Sequence, residues 1–394
     1  VSRSGWRLAA CCVAAGLALS GCVSFAEQPP PGKWSEQPQL APETGPNDGA
    51  GPGGGGGPGG GGGNQGGPPT PVPPPEGCKD YHPAVVGTCM DTIDSVAPFP
   101  NSDPPAGLAG ERKSGRVMQV RYGSDPSAVT TLPVDATTDG GLTGLALSPS
   151  YAEDQLVYAY ITTPTDNRVV RFTAGDTPKP VLTGIPRGPS GNRGALLRDR
   201  TGNLLVATGD AGNPALAADP KSLAGKLLRI DTAGKPAKGN PDPSSPVLAS
   251  GFHSPGGICV GVDSRPWVTD RSAQRDAIFR VDPGKPLGNP LWSWPDKPGV
   301  AGCVVTPALL MVATSTAGNM QNLPLSPEGV ITQKPTVSMQ DKEGFGRLGG
   351  MAVLNPTYAL AGTVNKSGGT PVSSDDRVVL VSIVPPNVGG GGKD

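Results

Sequence analysis

Between Cys78 and Pro386 the chain repeats one theme. Short apolar or β-branched runs are each stopped within a few residues by Gly, Pro, Asn or Asp, and almost no stretch carries helical periodicity. These runs predict strands over residues 116–122, 142–147, 156–161, 168–172, 204–208, 226–230, 258–262, 277–281, 304–313 and 378–384. They group into about six units, starting near Cys89, Leu142, Gly194, Gly256, Cys303 and Gly349. A period of roughly 35–50 residues per four strands is that of a β-propeller blade. The expected fold is therefore all-β, a six-bladed β-propeller over residues 78–388, with a stacked sandwich as the structural alternative.

The 60 glycines and 48 prolines would suggest disorder if spread evenly, but they are concentrated. A Gly-rich run over residues 49–67 and a Pro-rich run over 68–75 dominate residues 22–77, which lack the apolar content needed to order themselves. As a flexible coil that linker would reach on the order of 40 Å end to end. No strand precedes the glycines and no helix follows them, so they are not a phosphate loop. A second glycine-rich tail occupies residues 389–394.

Ahead of the linker, Arg3 and Arg7 precede an apolar run over residues 8–19, too short to span a bilayer, and then Leu19-Ser20-Gly21-Cys22. That pattern resembles a bacterial lipobox, with residues 1–21 as leader and Cys22 as the lipidated first residue; an ordinary cleaved signal is the alternative. The expectation is a protein tethered through Cys22 to the outer face of the cytoplasmic membrane, in the periplasm or cell envelope. Net charge is −1 with 16% charged residues, so no basic stripe invites nucleic acid.

Once the leader with Cys11 and Cys12 is removed, four cysteines remain besides Cys22, an even number that in an exported chain argues for disulfides. Spacing favours Cys78–Cys89, closing a small loop, and Cys259–Cys303, tying neighbouring units. No Cys-x-x-Cys pair exists and the histidines are only His82 and His253, so a cysteine metal site is not expected.

Residues 141–162, GLTGLALSPSYAEDQLVYAYIT, the strand Asn167-Arg168-Val169-Val170-Arg171-Phe172, the loop Thr208-Gly209-Asp210-Ala211-Gly212, the run Leu223-Ala224-Gly225-Lys226 and the turn Gly251-Phe252-His253-Ser254-Pro255 together resemble the glucose/sorbosone dehydrogenases. The likeness covers about residues 140–300, and the layout is most similar to that of a mycobacterial lipoprotein of that family. What the resemblance implies is a propeller that oxidises a sugar hydroxyl by hydride transfer to pyrroloquinoline quinone. A histidine would act as base, an aspartate would orient it, and calcium would polarise the quinone.

Several positions depart from that pattern. The family's histidine position is Gly191, and glycine supplies no base. Asp210 stands at the orienting aspartate, without its imidazole partner, and such an Asp closes turns through its own backbone. His253 and Ser254 replace an Arg-Asn pair that helps hold the cofactor, exchanging a guanidinium fork for an imidazole mostly neutral at pH 7. His253 is a candidate relocated base only if it has a positioned partner.

Asp270 and Asp276 are weak calcium candidates, with Ala277 where an acidic residue is common. Arg271 either grips an anionic ligand or makes a solvated salt bridge to Asp270 or Asp276. His82 is expected in the first disulfide loop without a partner. The loops of Asn192, Arg193, Asp210, His253 and Arg271 are expected to converge on the central face as the ligand site. The expected function is a catalytically degenerate family member, acting as a ligand-binding or accessory protein of the envelope with a protein partner or a small sugar-like ligand. A true dehydrogenase and a scaffold subunit are the alternatives.

Overall fold

The computed structural model describes residues 72–341 and 344–384. The leader, Cys22, most of the linker and the tail lie outside the described residues. Strands are numbered in chain order, β1 to β24, and form six four-stranded antiparallel sheets.

Each blade begins at the propeller axis. The inner strands are β2 (Ile93–Pro98), β6 (Leu142–Leu147), β10 (Gly194–Arg198), β14 (Pro255–Val260), β18 (Val300–Val305) and β22 (Leu348–Val353), each packed against the next, with β22 against β2. Their first residues agree with the six expected unit starts to within a few positions. Close packing at the axis requires glycine. A Cβ on Gly144 would lie 2.8 Å from Leu196 N, and one on Gly257 would lie 2.8 Å from Ala301 O.

The ring closes on its own first strand. β1 (Val85–Gly87) adds to β24 (Val378–Ser382), outside β23 (Tyr358–Thr363) and β22, so the last blade is built from both ends of the propeller. Cys78–Cys89 (Cα–Cα 5.3 Å) braces this closure, and Cys259–Cys303 (Cα–Cα 5.6 Å) joins inner strands β14 and β18. Both expected pairings are present.

Stability comes from the spaces between blades. Six clusters of buried apolar side chains each lie between one blade and the next, such as Leu142, Val157, Ile161 and Phe172 packing on Leu108 and Val117. Each fully buried side chain of this size contributes roughly 1.5–3 kcal/mol. Middle strands are covered on both faces, so β7 (Val157–Thr162) and β11 (Leu204–Thr208) are buried throughout and read as continuous apolar runs. Outer strands such as β5 (Ser124–Thr131) are largely exposed and polar. The stretch 304–313, expected as one strand, is two: Thr306 N donates to Leu309 O (2.8 Å), and Pro307 turns the chain between β18 and β19 (Leu309–Thr314).

Candidate functional site

The upper face, where the inner strands start, gathers the loops entering each blade and those joining each second strand to its third. The loop after β11 shows why the motif around Asp210 has its composition. Thr208 Oγ1 donates to Leu223 O (2.7 Å) and accepts from Lys226 N (2.9 Å) at the start of β12 (Lys226–Ile230). Lys226 is fully buried, and its ammonium donates to the carbonyls of Leu216 (3.0 Å), Ala217 (2.6 Å) and Ala224 (3.0 Å), tying the short helix Pro214–Ala218 to the sheet. The Thr-Gly-Asp and Gly-Lys pairing is thus a clasp.

Asp210 follows that clasp. Its Oδ1 accepts from Gly212 N (2.8 Å), closing the expected turn, and its own N–H donates to His253 O (2.9 Å). Burial raises its pKa above the usual carboxylate value, although the Gly212 bond works the other way. Beside it Gly191 sits at φ +65°, and a Cβ there would lie 2.5 Å from Asp210 Oδ1 and 2.9 Å from Gly212 N. Asn192 is completely buried. Its carbonyl accepts from Gly188 N (2.9 Å), and its amide donates to Thr138 Oγ1 (2.9 Å) and Gly188 O (2.8 Å), so both ends hold loops together.

The next residue, Arg193, reaches from the third blade past the second to the first. Its Nη1 and Nη2 donate to Asp94 Oδ2 (3.1 Å) and Oδ1 (3.0 Å) across the channel mouth. Arg112 Nε reaches the same carboxylate at 3.0 Å, while its Nη1 donates to Gly140 O (2.8 Å). Burial opposes ionisation of Asp94, but Arg193 and then Arg112 outweigh it and hold the carboxyl below its usual range. Asp94 and Arg112 escaped the sequence reading, because they lie far from Arg193 in the chain and no local motif marks them.

Arg271 corrects an expectation. Among the described residues no carboxylate pairs with it; Nε donates to Val300 O (2.6 Å) on the next blade, and Nη2 is buried without a partner. Burial, then the nearby Arg193 charge, lowers its pKa to about 10. Asp270, at the end of β15 (Pro266–Arg271), accepts from Ser254 N (2.8 Å) and His253 N (3.0 Å), and its Oδ2 lies 3.2 Å from His253 Nδ1. His253 therefore has the positioned partner that the sequence could not show. That contact raises its pKa, and the Asp270 and Asp210 charges add to the effect.

Asp276, opening β16 (Asp276–Arg280), accepts from Gly299 N (2.6 Å) and Val300 N (3.0 Å). Both calcium candidates thus carry backbone N–H groups, and the described residues hold no group of three or more His, Cys, Asp or Glu able to bind a metal. Beside His253 and Asp270 opens a cavity of about 370 Å³ lined also by Ser272, Gln274, Arg275, Ala277 and Phe279. His82 lies away from this site; its ring packs edge-on against Phe345, with centroids 4.8 Å apart, which supplies the partner the sequence reading lacked.

The family described as glucose/sorbosone dehydrogenase matches residues 96–301, just over half of the chain. This chain belongs to that family. Among solved structures it is similar to the quinone-bound aldose sugar dehydrogenase of Streptomyces coelicolor, with 27% identity and a TM-score of 0.70 over 75% of this chain and 95% of that one. A putative glucose dehydrogenase of Thermus thermophilus is also 27% identical, with a TM-score of 0.67 over 75% and 98%. The apo-form aldose sugar dehydrogenase of Escherichia coli, at 18% identity and a TM-score of 0.61 over 75% and 98%, shares the fold. No curated protein matches.

The positions that the resemblance assigns to the base and to the cofactor contacts carry other residues in this chain. Position 191 has no imidazole, and a Cβ there would crowd Asp210 Oδ1 and Gly212 N. Arg193 closes its fork on Asp94, and His253 is held by Asp270.

Proposed function

We propose that this protein is a catalytically degenerate member of the family that binds a small sugar-like ligand on the upper face, as a ligand-binding or accessory protein of the cell envelope tethered through a lipidated Cys22. The observation that carries this reading is Gly191, packed against Asp210 in a left-handed backbone conformation that strains any side chain. Restoring a side chain there would require Asp210 and the Ala211-Gly212 backbone to shift.

Ligand binding is supported by the cavity beside His253. Imidazole, Ser272, Gln274 and Arg275 offer donors and acceptors suited to hydroxyls, and Phe279 supplies an apolar wall. One observation favours the second reading, a retained sugar or polyol dehydrogenase: the His253–Asp270 pair has the form of an oriented base, although on a different blade from the family's. Reconstitution with pyrroloquinoline quinone and calcium, followed by dye reduction with a panel of aldoses and polyols, decides between them. Calorimetric titration with the same sugars in the absence of quinone then tests binding, which His253→Ala should weaken. Quinone-dependent turnover by the wild type would overturn the proposal.

A further inference from the structure

The channel has a second mouth, on the lower face where the inner strands end. There a cavity of about 280 Å³ is lined by apolar side chains from inner strands all around the ring, among them Val96, Leu145, Leu197, Val260, Val305 and Val353. Arg198 is the one charged residue in that wall. Its Nη1 donates to Ser148 O (3.0 Å), and its other N–H groups have no protein acceptor among the described residues.

Above this cavity the channel narrows to a waist of about 30 Å³, lined by Gly144, Gly257, Gly302 and Gly350 with Asp94 and Ser95. That volume is room for about one water. A ligand entering from below stops at the waist and never reaches the His253 site. The wall is also preformed, because Cys259–Cys303, itself part of the lining, locks two of the inner strands.

Beyond that wall the lower-face loops carry charged as well as apolar residues, among them Asp199, Arg200, Asp263 and Arg265. Val353, on the rim, is 52% exposed; Tyr122, Val262, Tyr358 and Val384, at the lower ends of other strands, are exposed as well. An axial apolar well with a single cation at its edge matches one chemistry: an apolar chain directed inward and one anionic group left at the rim. At this size, near the lower end of ligand pockets, it suits one chain rather than two. We propose that the lower mouth binds a single-chain anionic amphiphile of the fatty-acid class.

Calorimetric titration of the full chain with dodecanoate and with dodecanol tests this. Saturable one-to-one binding of both is expected, with dodecanoate tighter. Val353→Trp, at an exposed position that the fold tolerates, should weaken both by about tenfold or more by narrowing the mouth. Arg198→Gln should weaken dodecanoate about tenfold and leave dodecanol unchanged, which a merely structural role would not do. Absence of saturable binding, or binding indifferent to both substitutions, would overturn the assignment. So would binding that appears only after carboxypeptidase removes the residues beyond Val384, which would make the chain's own tail the occupant.

Discussion

At the scale of single residues, His253 and Asp210 have opposite electrostatic situations within one small region. His253 is held to Asp270, and its folded-state pKa lies above the ordinary value of 6.5. Its stabilisation is therefore fully present below about pH 6.5 and is lost as pH rises through the folded pKa. The thermal-stability advantage of wild type over His253→Gln should accordingly be larger at pH 6 than at pH 9; an advantage that grows with pH would contradict the pairing. For Asp210 burial disfavours the carboxylate, so its penalty is absent in acid and complete at neutral pH. Asp210→Asn keeps an oxygen for Gly212 N–H and removes the charge. Its melting temperature at pH 7 should equal or exceed that of wild type, with the gain vanishing near pH 3. Sequence reasoning could place both residues on the upper face, because their motifs are local. It could not give His253 its carboxylate or Arg193 its partner Asp94, since those contacts exist only once separate blades meet.

At the scale of elements, buried strands were legible where their apolar run is unbroken, whereas the equally buried β3 (Ala106–Glu111) and β23 were missed because glycines interrupt theirs. β6, β11 and β12 were read to the residue because covered strands are continuous apolar runs between turn formers. Edge strands such as β5 and β9 (Lys179–Ile185) were missed because they are half polar and need no such pattern. The turn at Thr306-Pro307 was missed because apolar runs on both sides masked it. The β14–β18 disulfide belongs to this scale too. Closing a loop between residues 44 apart constrains the unfolded chain by about 4 kcal/mol. Replacing Cys259 and Cys303 by serine should lower stability by about that amount in denaturant titration while the β circular dichroism persists; a change below about 1 kcal/mol would contradict a role in bracing the inner ring.

At the scale of the whole molecule, the propeller closes through β1, and the upper face carries a site in the family's architecture with Gly191 at the position the resemblance assigns to the base. The fold was legible because the repeat and the Thr208-to-Lys226 clasp are both architectural features. Function was less so, because the family's catalytic position survives only as Gly191 and its surroundings were rebuilt by Arg193, His253 and Arg271. The proposed tether is tested separately: Cys22→Ala should release the protein from membranes into the soluble fraction, and unchanged membrane association would contradict lipidation. The central claim is that Gly191 ends quinone-dependent sugar oxidation in this chain. It is met most directly by assaying dye reduction by the wild-type protein saturated with pyrroloquinoline quinone and calcium in the presence of aldoses. The account predicts a rate indistinguishable from that of quinone without protein; saturable, sugar-dependent turnover would contradict it.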